Sequence, residues 1–236
     1  MAEVHECEGL RDREGVFEDR WDAAERLAAM LAPHYEGSDQ AIILAIPAGG
    51  VPVGLVLARR LDLPLDLLLV RKLKIPGNTE AGFAATGLDG NIFYNRELMA
   101  RLGLGEHDEE VEREREAVME DLRERNLAFR GGEGFPDVSG KTCILADDGL
   151  ASGFTMRAGV NAVRKQGAAR VVVAVPTSPW RTIEWLRGEA DEVYCANVRT
   201  SWTFAVASAY RQWRDLERPE VMEMLRRHRA GKPDRP

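Results

Sequence analysis

Thr142-Cys143-Ile144-Leu145-Ala146-Asp147-Asp148-Gly149-Leu150-Ala151-Ser152-Gly153-Phe154-Thr155 is the stretch around which the rest of this chain is read. Cys143 to Ala146 is an apolar run with the length and flanks of a buried strand, and two carboxylates stand where that strand would end. Gly149 to Thr155 is small and hydroxylated. Met156, Val160 and Val163 then recur at helical spacing until Gly167 closes the segment. The order is strand, small-residue loop, helix.

Such an order aims several backbone N–H groups, and the positive end of the helix dipole, at one point above a sheet. A phosphate fits at that point. Ser152 and Thr155 add hydroxyl donors, while Gly149 and Gly153 are expected to let the backbone turn sharply and approach an anion. The lysine of a nucleotide-triphosphate loop is absent. With an anion at the helix end, Asp147 and Asp148 lie about one sugar ring away, placed to accept hydrogen bonds from ribose hydroxyls or to hold a hydrated magnesium ion.

At these residues the chain resembles a known family: Ile144 to Thr155 is similar to the phosphoribosyl pyrophosphate (PRPP) signature of type I phosphoribosyltransferases. The resemblance implies that Asp147 and Asp148 contact the ribose hydroxyls and that Ala151, Ser152, Gly153, Phe154 and Thr155 wrap the 5-phosphate. It covers about residues 40 to 200. The reaction it implies displaces pyrophosphate from carbon 1 of PRPP by a nitrogen nucleophile, through a sugar of cationic character, with magnesium on the diphosphate. Asp147 and Asp148 would meet that magnesium through water.

Composition bounds the alternatives. A chain of 236 residues with 44% hydrophobic content can bury a substantial core, and one domain is expected. The net charge of −7 argues against a general nucleic-acid surface. Cys7, Cys143 and Cys195 are odd in number, scattered and without metal spacing, which suits a reducing cytoplasm. Glu3, Glu6 and Glu8 do not resemble the basic start of a signal peptide, and no apolar run reaches spanning length. A soluble cytoplasmic protein without a membrane partner is the expectation.

Upstream, Trp21, Ala24, Leu27, Ala28 and Leu31 fall at helical spacing, and Ala41 to Ile46 reads as the first core strand. Pro47-Ala48-Gly49-Gly50 follows, and then a mostly apolar helix from Val51 to Leu61, so a second strand, glycine loop and helix unit precedes the first. In the resembled family a loop here binds the pyrophosphate through backbone amides, which would assign Ala48, Gly49 and Gly50; relatives usually carry a basic residue where this chain has Ala48. Leu65 to Val70 reads as the next strand. Arg71 to Glu80 leaves it as a basic, turn-rich segment that resembles the family's mobile catalytic loop. A cation there would neutralise charge growing on departing pyrophosphate, with Lys72 first and Arg71 and Lys74 behind it.

Phe83 to Thr86 and Ile92 to Tyr94 flank Asp89-Gly90, a hairpin signal. Helices are expected from Asn95 to Leu102 and from Asp108 to about Phe129, the second carrying Val111, Val118, Leu122 and Phe129 on one face. This hairpin and helical insertion spans about residues 81 to 135. Arg170 to Val175 is a β-branched run expected to stop at Pro176, Ser178 and Pro179 suit a helix start, and Val193 to Ala196 reads as a short last strand. The fold class is therefore α/β: an open, mainly parallel twisted sheet flanked by helices, with the insertion and a small hood. The tail from 201 to 236 gathers Trp202, Phe204, Tyr210 and Trp213, which suit either a lid for a flat base or core and dimer packing. Arg226 to Pro236 is expected to fray.

The resemblance thus implies a phosphoribosyl transfer from PRPP to a nitrogenous base or amine, with a homodimer as the expected assembly. Two other readings stay open: a regulator that binds PRPP without turning it over, favoured by Ala48, and a hydrolase that passes the sugar to water. Purine salvage enzymes carry an acid at the position of Ala151, so the acceptor is left undecided.

Overall fold

The computed structural model describes residues 1–75, 82–88 and 90–233. Six strands form one wholly parallel sheet: β1 (Glu3–Glu6), β2 (Ala41–Ala45), β3 (Leu65–Leu67), β7 (Thr142–Ala146), β8 (Arg170–Pro179) and β9 (Glu192–Arg199). Their order across the sheet is β1-β9-β8-β7-β2-β3. The strand carrying the acid pair is thus interior, with β2 on one side and β8 on the other.

Side-chain alternation divides the core into two layers. Ile42, Leu44, Leu145 and Val173 turn to one face and pack against Met156, Val160 and Val163 of α5 (Phe154–Lys165) and Ile183 and Leu186 of α6 (Trp180–Leu186). Ile43, Ile144 and Val172 turn to the other, under Leu27 and Leu31 of α1 (Arg20–Tyr35) and Val53 and Leu57 of α2 (Gly50–Leu61). Asp19 caps α1, its carboxylate accepting from Trp21 N and Asp22 N at 2.9 Å.

A second, antiparallel sheet is inserted after β3: β4 (Val70–Lys74), β5 (Gly82–Gly87) and β6 (Ile92–Tyr94), followed by α3 (Arg96–Leu102) and α4 (Glu109–Arg130). Leu73 and Phe83 meet Val111, Val118, Leu122 and Phe129 of α4 in a third cluster. The basic segment read as a loop is therefore a strand over Arg71–Lys74, because β5 offers it a pairing edge and Leu73 a buried position. The rest of that segment, from Pro76 to Glu80, and Asp89 of the expected hairpin turn lie outside the described residues. Gly90 has φ +70°, the left-handed backbone such a turn needs.

Other boundaries move for similar reasons. The first residues contribute an edge strand, since β9 offers β1 a parallel partner. β8 runs through Pro176 to Pro179: pairing with β7 stops at Ala174, so the missing proline N–H falls beyond that ladder while β9 continues to pair Thr177 to Pro179. The last strand likewise lengthens to eight residues. α6 starts at Trp180 with Pro179 before it, and Ser178 is buried inside the sheet instead of capping. Arg226 to Arg229 belong to α7 (Arg218–Arg229), which buries Val221, Met224 and Leu225. Among the described residues no helix is long and apolar enough to cross a membrane.

Candidate active site

The two strand, glycine loop and helix units stand side by side, because β2 and β7 pair in register from Ala41↔Thr142 to Ala45↔Ala146. Both loops consequently leave the same, carboxyl-terminal edge of the sheet, the edge on which open α/β sheets place ligands. Ile46 N donates to Ala146 O at 2.9 Å and Gly50 N to Ile46 O at 3.0 Å, which seats Pro47–Gly50 against the acid pair. The Pro47–Ala48 peptide is cis. The glycines are there for space. A Cβ on Gly49 would lie 1.9 Å from Asp148 Oδ2, and one on Gly50 would lie 2.5 Å from Ala146 O.

Asp147 and Asp148 are half-buried at the end of β7. Asp148 N donates to Asp147 Oδ1 at 2.8 Å. Burial, then the charge of Asp148, holds the Asp147 carboxyl well above the usual carboxylate range. Burial raises Asp148 as well, against the pull of Arg20.

Gly153 takes φ +75° and precedes α5, the conformation and position predicted for the phosphate loop. A Cβ there would also sit 2.7 Å from Thr182 Cγ2. Gly149 differs: it is not among the positive-φ glycines, and its lack of a side chain makes room for Val206, whose Cγ1 would be 2.5 Å from an added Cβ. Leu150 N donates to Thr177 O at 2.9 Å and Thr182 Oγ1 to Ala151 O at 2.8 Å, while Phe154 meets Trp185 edge-on at 4.9 Å. The loop is thus braced from β8 and α6. Ala151 and Ser152 stay exposed, Phe154 and Thr155 are half-buried, and a cavity of about 540 Å³ opens against Ala151, Ser152 and Phe154, walled by Arg181, Trp185 and Phe204.

The sequence-derived basic residues part company. Arg71 and Leu73 turn toward α4, where Arg71 Nε meets Asp121 Oδ2 at 2.9 Å. Burial, then the neighbouring Arg125, lowers the Arg71 guanidinium pKa, and its charge is committed to a packing contact. Lys74 is exposed and ties its backbone N–H to Glu114 Oε1 at 2.9 Å. Lys72 alternates onto the opposite face from Arg71, the face on which Val70 and Ala85 join the α5 cluster.

Sequence reasoning missed Arg20. It is 8% exposed; its Nε donates to Asp148 Oδ2 at 2.7 Å, one terminal nitrogen donates to Arg214 O at 2.9 Å, and its guanidinium lies 3.8 Å from the Trp213 ring centroid. A signal was present: Arg20 sits four residues before Ala24 and seven before Leu27, a charge inside the apolar stripe. The C-terminal aromatics also divide. Tyr210 is buried against Phe17 and its hydroxyl donates to Asp148 O at 2.5 Å, whereas Trp202 is 92% exposed. A larger cavity, about 790 Å³, lies beyond Arg20 between Trp21, Pro52, Trp213 and α7, with neither the acid pair nor the phosphate-type loop in its wall.

Among the described residues no group of three or more His, Cys, Asp or Glu is placed to hold a metal. Two adjacent carboxylates fit a hydrated magnesium that takes its other ligands from water and a diphosphate.

A parallel sheet with two glycine loops at one edge, an acid pair between them and a helix opening on a small-residue loop defines an α/β domain with a candidate ligand site at that edge. Comparison with known proteins gives the family. The phosphoribosyl transferase domain model matches residues 18–210, so the chain belongs to that family. Proteins from two strains of Mycobacterium tuberculosis, provisionally named phosphoribosyl transferases, are each 34% identical over 215 residues. That match covers 91% of this chain and 47% of theirs, so the chain spans about half the length of the curated relatives it matches. The crystal structure of TT1426 from Thermus thermophilus superposes with a TM-score of 0.72 at 33% identity, covering 89% of this chain and 97% of that one.

Proposed function

We propose that this chain transfers the 5-phosphoribosyl group of PRPP to a nitrogenous base or amine and releases pyrophosphate. The observation that carries the reading is the convergence of Asp147, Asp148, the Gly49-Gly50 turn and the Ala151–Thr155 loop at one sheet edge. Binding begins at two ends. Amides after Gly153 and the hydroxyls of Ser152 and Thr155 take the 5-phosphate at the start of α5, and amides of Ala48 to Gly50 take the diphosphate at the start of α2. Asp147 and Asp148 accept from the ribose hydroxyls between them, which fixes the sugar relative to an incoming nucleophile. Magnesium, when bound, neutralises charge on the diphosphate, with Asp147 and Asp148 as its carboxylate neighbours. Lys72, on the α5 side of the inserted sheet, is the residue proposed to meet negative charge on the leaving group.

The deciding experiment is a pyrophosphate-release assay over a panel of bases and amines, with magnesium and without. Release with at least one acceptor, dependent on magnesium and lost in Asp148→Asn, is the expected result. PRPP binding with no release on any acceptor would replace the transferase by a PRPP-binding regulator, and release into water alone would make it a hydrolase.

A further inference from the structure

A buried charge is expensive unless it is paired and hydrogen-bonded, and a buried ion pair is weak evidence for stability on its own. Arg20 is buried in such a pair, yet it joins residues 128 positions apart in the chain at the centre of the candidate site. Its three engagements differ in kind. Nε holds one oxygen of Asp148, a terminal nitrogen holds the carbonyl of Arg214, and the planar face lies on Trp213. The Asp148 carboxylate is held at Oδ2 by this guanidinium, and Gly49 leaves room for the same oxygen, since a Cβ there would lie 1.9 Å from it. The main chain of Asp148 is held too, by the Tyr210 hydroxyl. Both restraints come from outside the strand that carries the acid.

We infer that Arg20 is a positioning residue for the sugar: it sets the orientation of Asp148 and links it to the C-terminal segment Val206–Arg214. The inference rests on the reading of Asp148 as a ribose contact. A carboxylate receiving two adjacent hydroxyls must present its oxygens at one angle, and a planar, fixed-fork guanidinium holds an angle that a flexible ammonium does not. A Lys at position 20 keeps the charge but cannot join Asp148, the Arg214 carbonyl and the Trp213 face at once.

The test is a double-mutant cycle on PRPP affinity, measured by calorimetry with magnesium present, using Arg20→Gln, Arg20→Lys, Asp148→Asn and the pairs. Arg20→Gln and Arg20→Lys are each expected to weaken binding about 10–100-fold, the range for groups that orient a ligand from behind. In the Asp148→Asn background either change should add less than about twofold, because the two residues act as one unit. Full rescue by Lys, or additive losses, would overturn the inference and leave Arg20 a charge-balancing core residue. If Arg20→Gln does not fold, Trp213→Leu removes the ring stacked on Arg20, and Tyr210→Phe serves as the control for the Tyr210 side of that ring. A weakening by Trp213→Leu that disappears in Asp148→Asn and exceeds that of Tyr210→Phe supports the inference, and an unchanged or additive affinity overturns it. Should Asp148→Asn by itself leave PRPP affinity unaltered, the ribose assignment fails instead.

Discussion

Arg157 on α5 lies with its guanidinium 4.3 Å from the ring centroid of Trp185 on α6, while Phe93 of β6 covers it at 4.2 Å. The same side chain pairs with Glu189. Two residues past Thr155, in the first turn of α5, it therefore fastens the inserted sheet to the helix that follows the phosphate-type loop. Each face contact is worth about 0.5–1 kcal/mol at a partly exposed site. Arg157→Ala is accordingly expected to cost about 1–2 kcal/mol, read as a lower urea midpoint with an unchanged slope. An unaltered midpoint would show that the inserted sheet holds itself in place.

Gly49 and Gly50 are adjacent, but an alanine at each meets a different neighbour. At Gly50 the obstacle is the Ala146 carbonyl, backbone of an interior strand, at 2.5 Å. Gly50→Ala should lower stability by about 1–3 kcal/mol, the usual cost of overpacking. At Gly49 the obstacle is the Asp148 carboxylate at 1.9 Å. Gly49→Ala should therefore lose PRPP affinity more steeply than thermal stability, and equal losses in both variants would contradict the difference drawn between the two positions.

The acid pair makes stability depend on pH with a definite sign. Because burial and the Asp148 charge raise the folded-state pKa of Asp147, the folded chain keeps that proton to higher pH than the unfolded chain does. Stability is therefore lost as pH rises from the ordinary carboxylate range through the folded-state value. Asp147→Asn cannot ionise and keeps an oxygen for the Asp148 N–H. In magnesium-free buffer its Tm should exceed that of the parent chain at pH 7.5, with a smaller gain at pH 4.5, while PRPP binding falls. A gain that grew toward acid pH would reverse the assignment.

Arg71 and Lys72 are neighbours with opposite expected roles. Arg71→Ala removes a half-buried partner of Asp121 and should lower stability by about 0.5–1 kcal/mol, little more than an exposed pair contributes, with turnover preserved in the folded fraction. Lys72→Ala should leave PRPP affinity nearly intact but slow pyrophosphate release by the folded fraction about 10²-fold or more, the scale for losing one stabiliser of transition-state charge. Parental turnover in Lys72→Ala would make it an ordinary side chain of the strand.

Much of the fold was legible because the signals were local. The apolar runs at Ala41–Ala45 and Thr142–Ala146, each followed by glycines and a helical repeat, read as parallel strands and loops, and they pair as such. The positions of the acid pair and Gly153 in the fold could be read on the same evidence, since strand ends and helix starts depend on residues only a few positions apart. Arg71–Lys74 misled because a basic run beside a turn-rich one resembles a loop until β5 provides an edge to pair with. Gly149 misled because its requirement for space comes from Val206, far along the chain.

Residue order by itself determined the alternation of strand and helix, the pair of glycine loops and the carboxylates between them, all set by short-range periodicity and backbone freedom. Tertiary structure alone decided that Arg20, Trp213 and Tyr210 surround Asp148, and that Arg71 turns away from the site while Lys72 takes the opposite face. The reason is physical: a guanidinium buried in an apolar stripe reveals its purpose only once folding brings up the carboxylate, the carbonyl and the ring that compensate for its lost water.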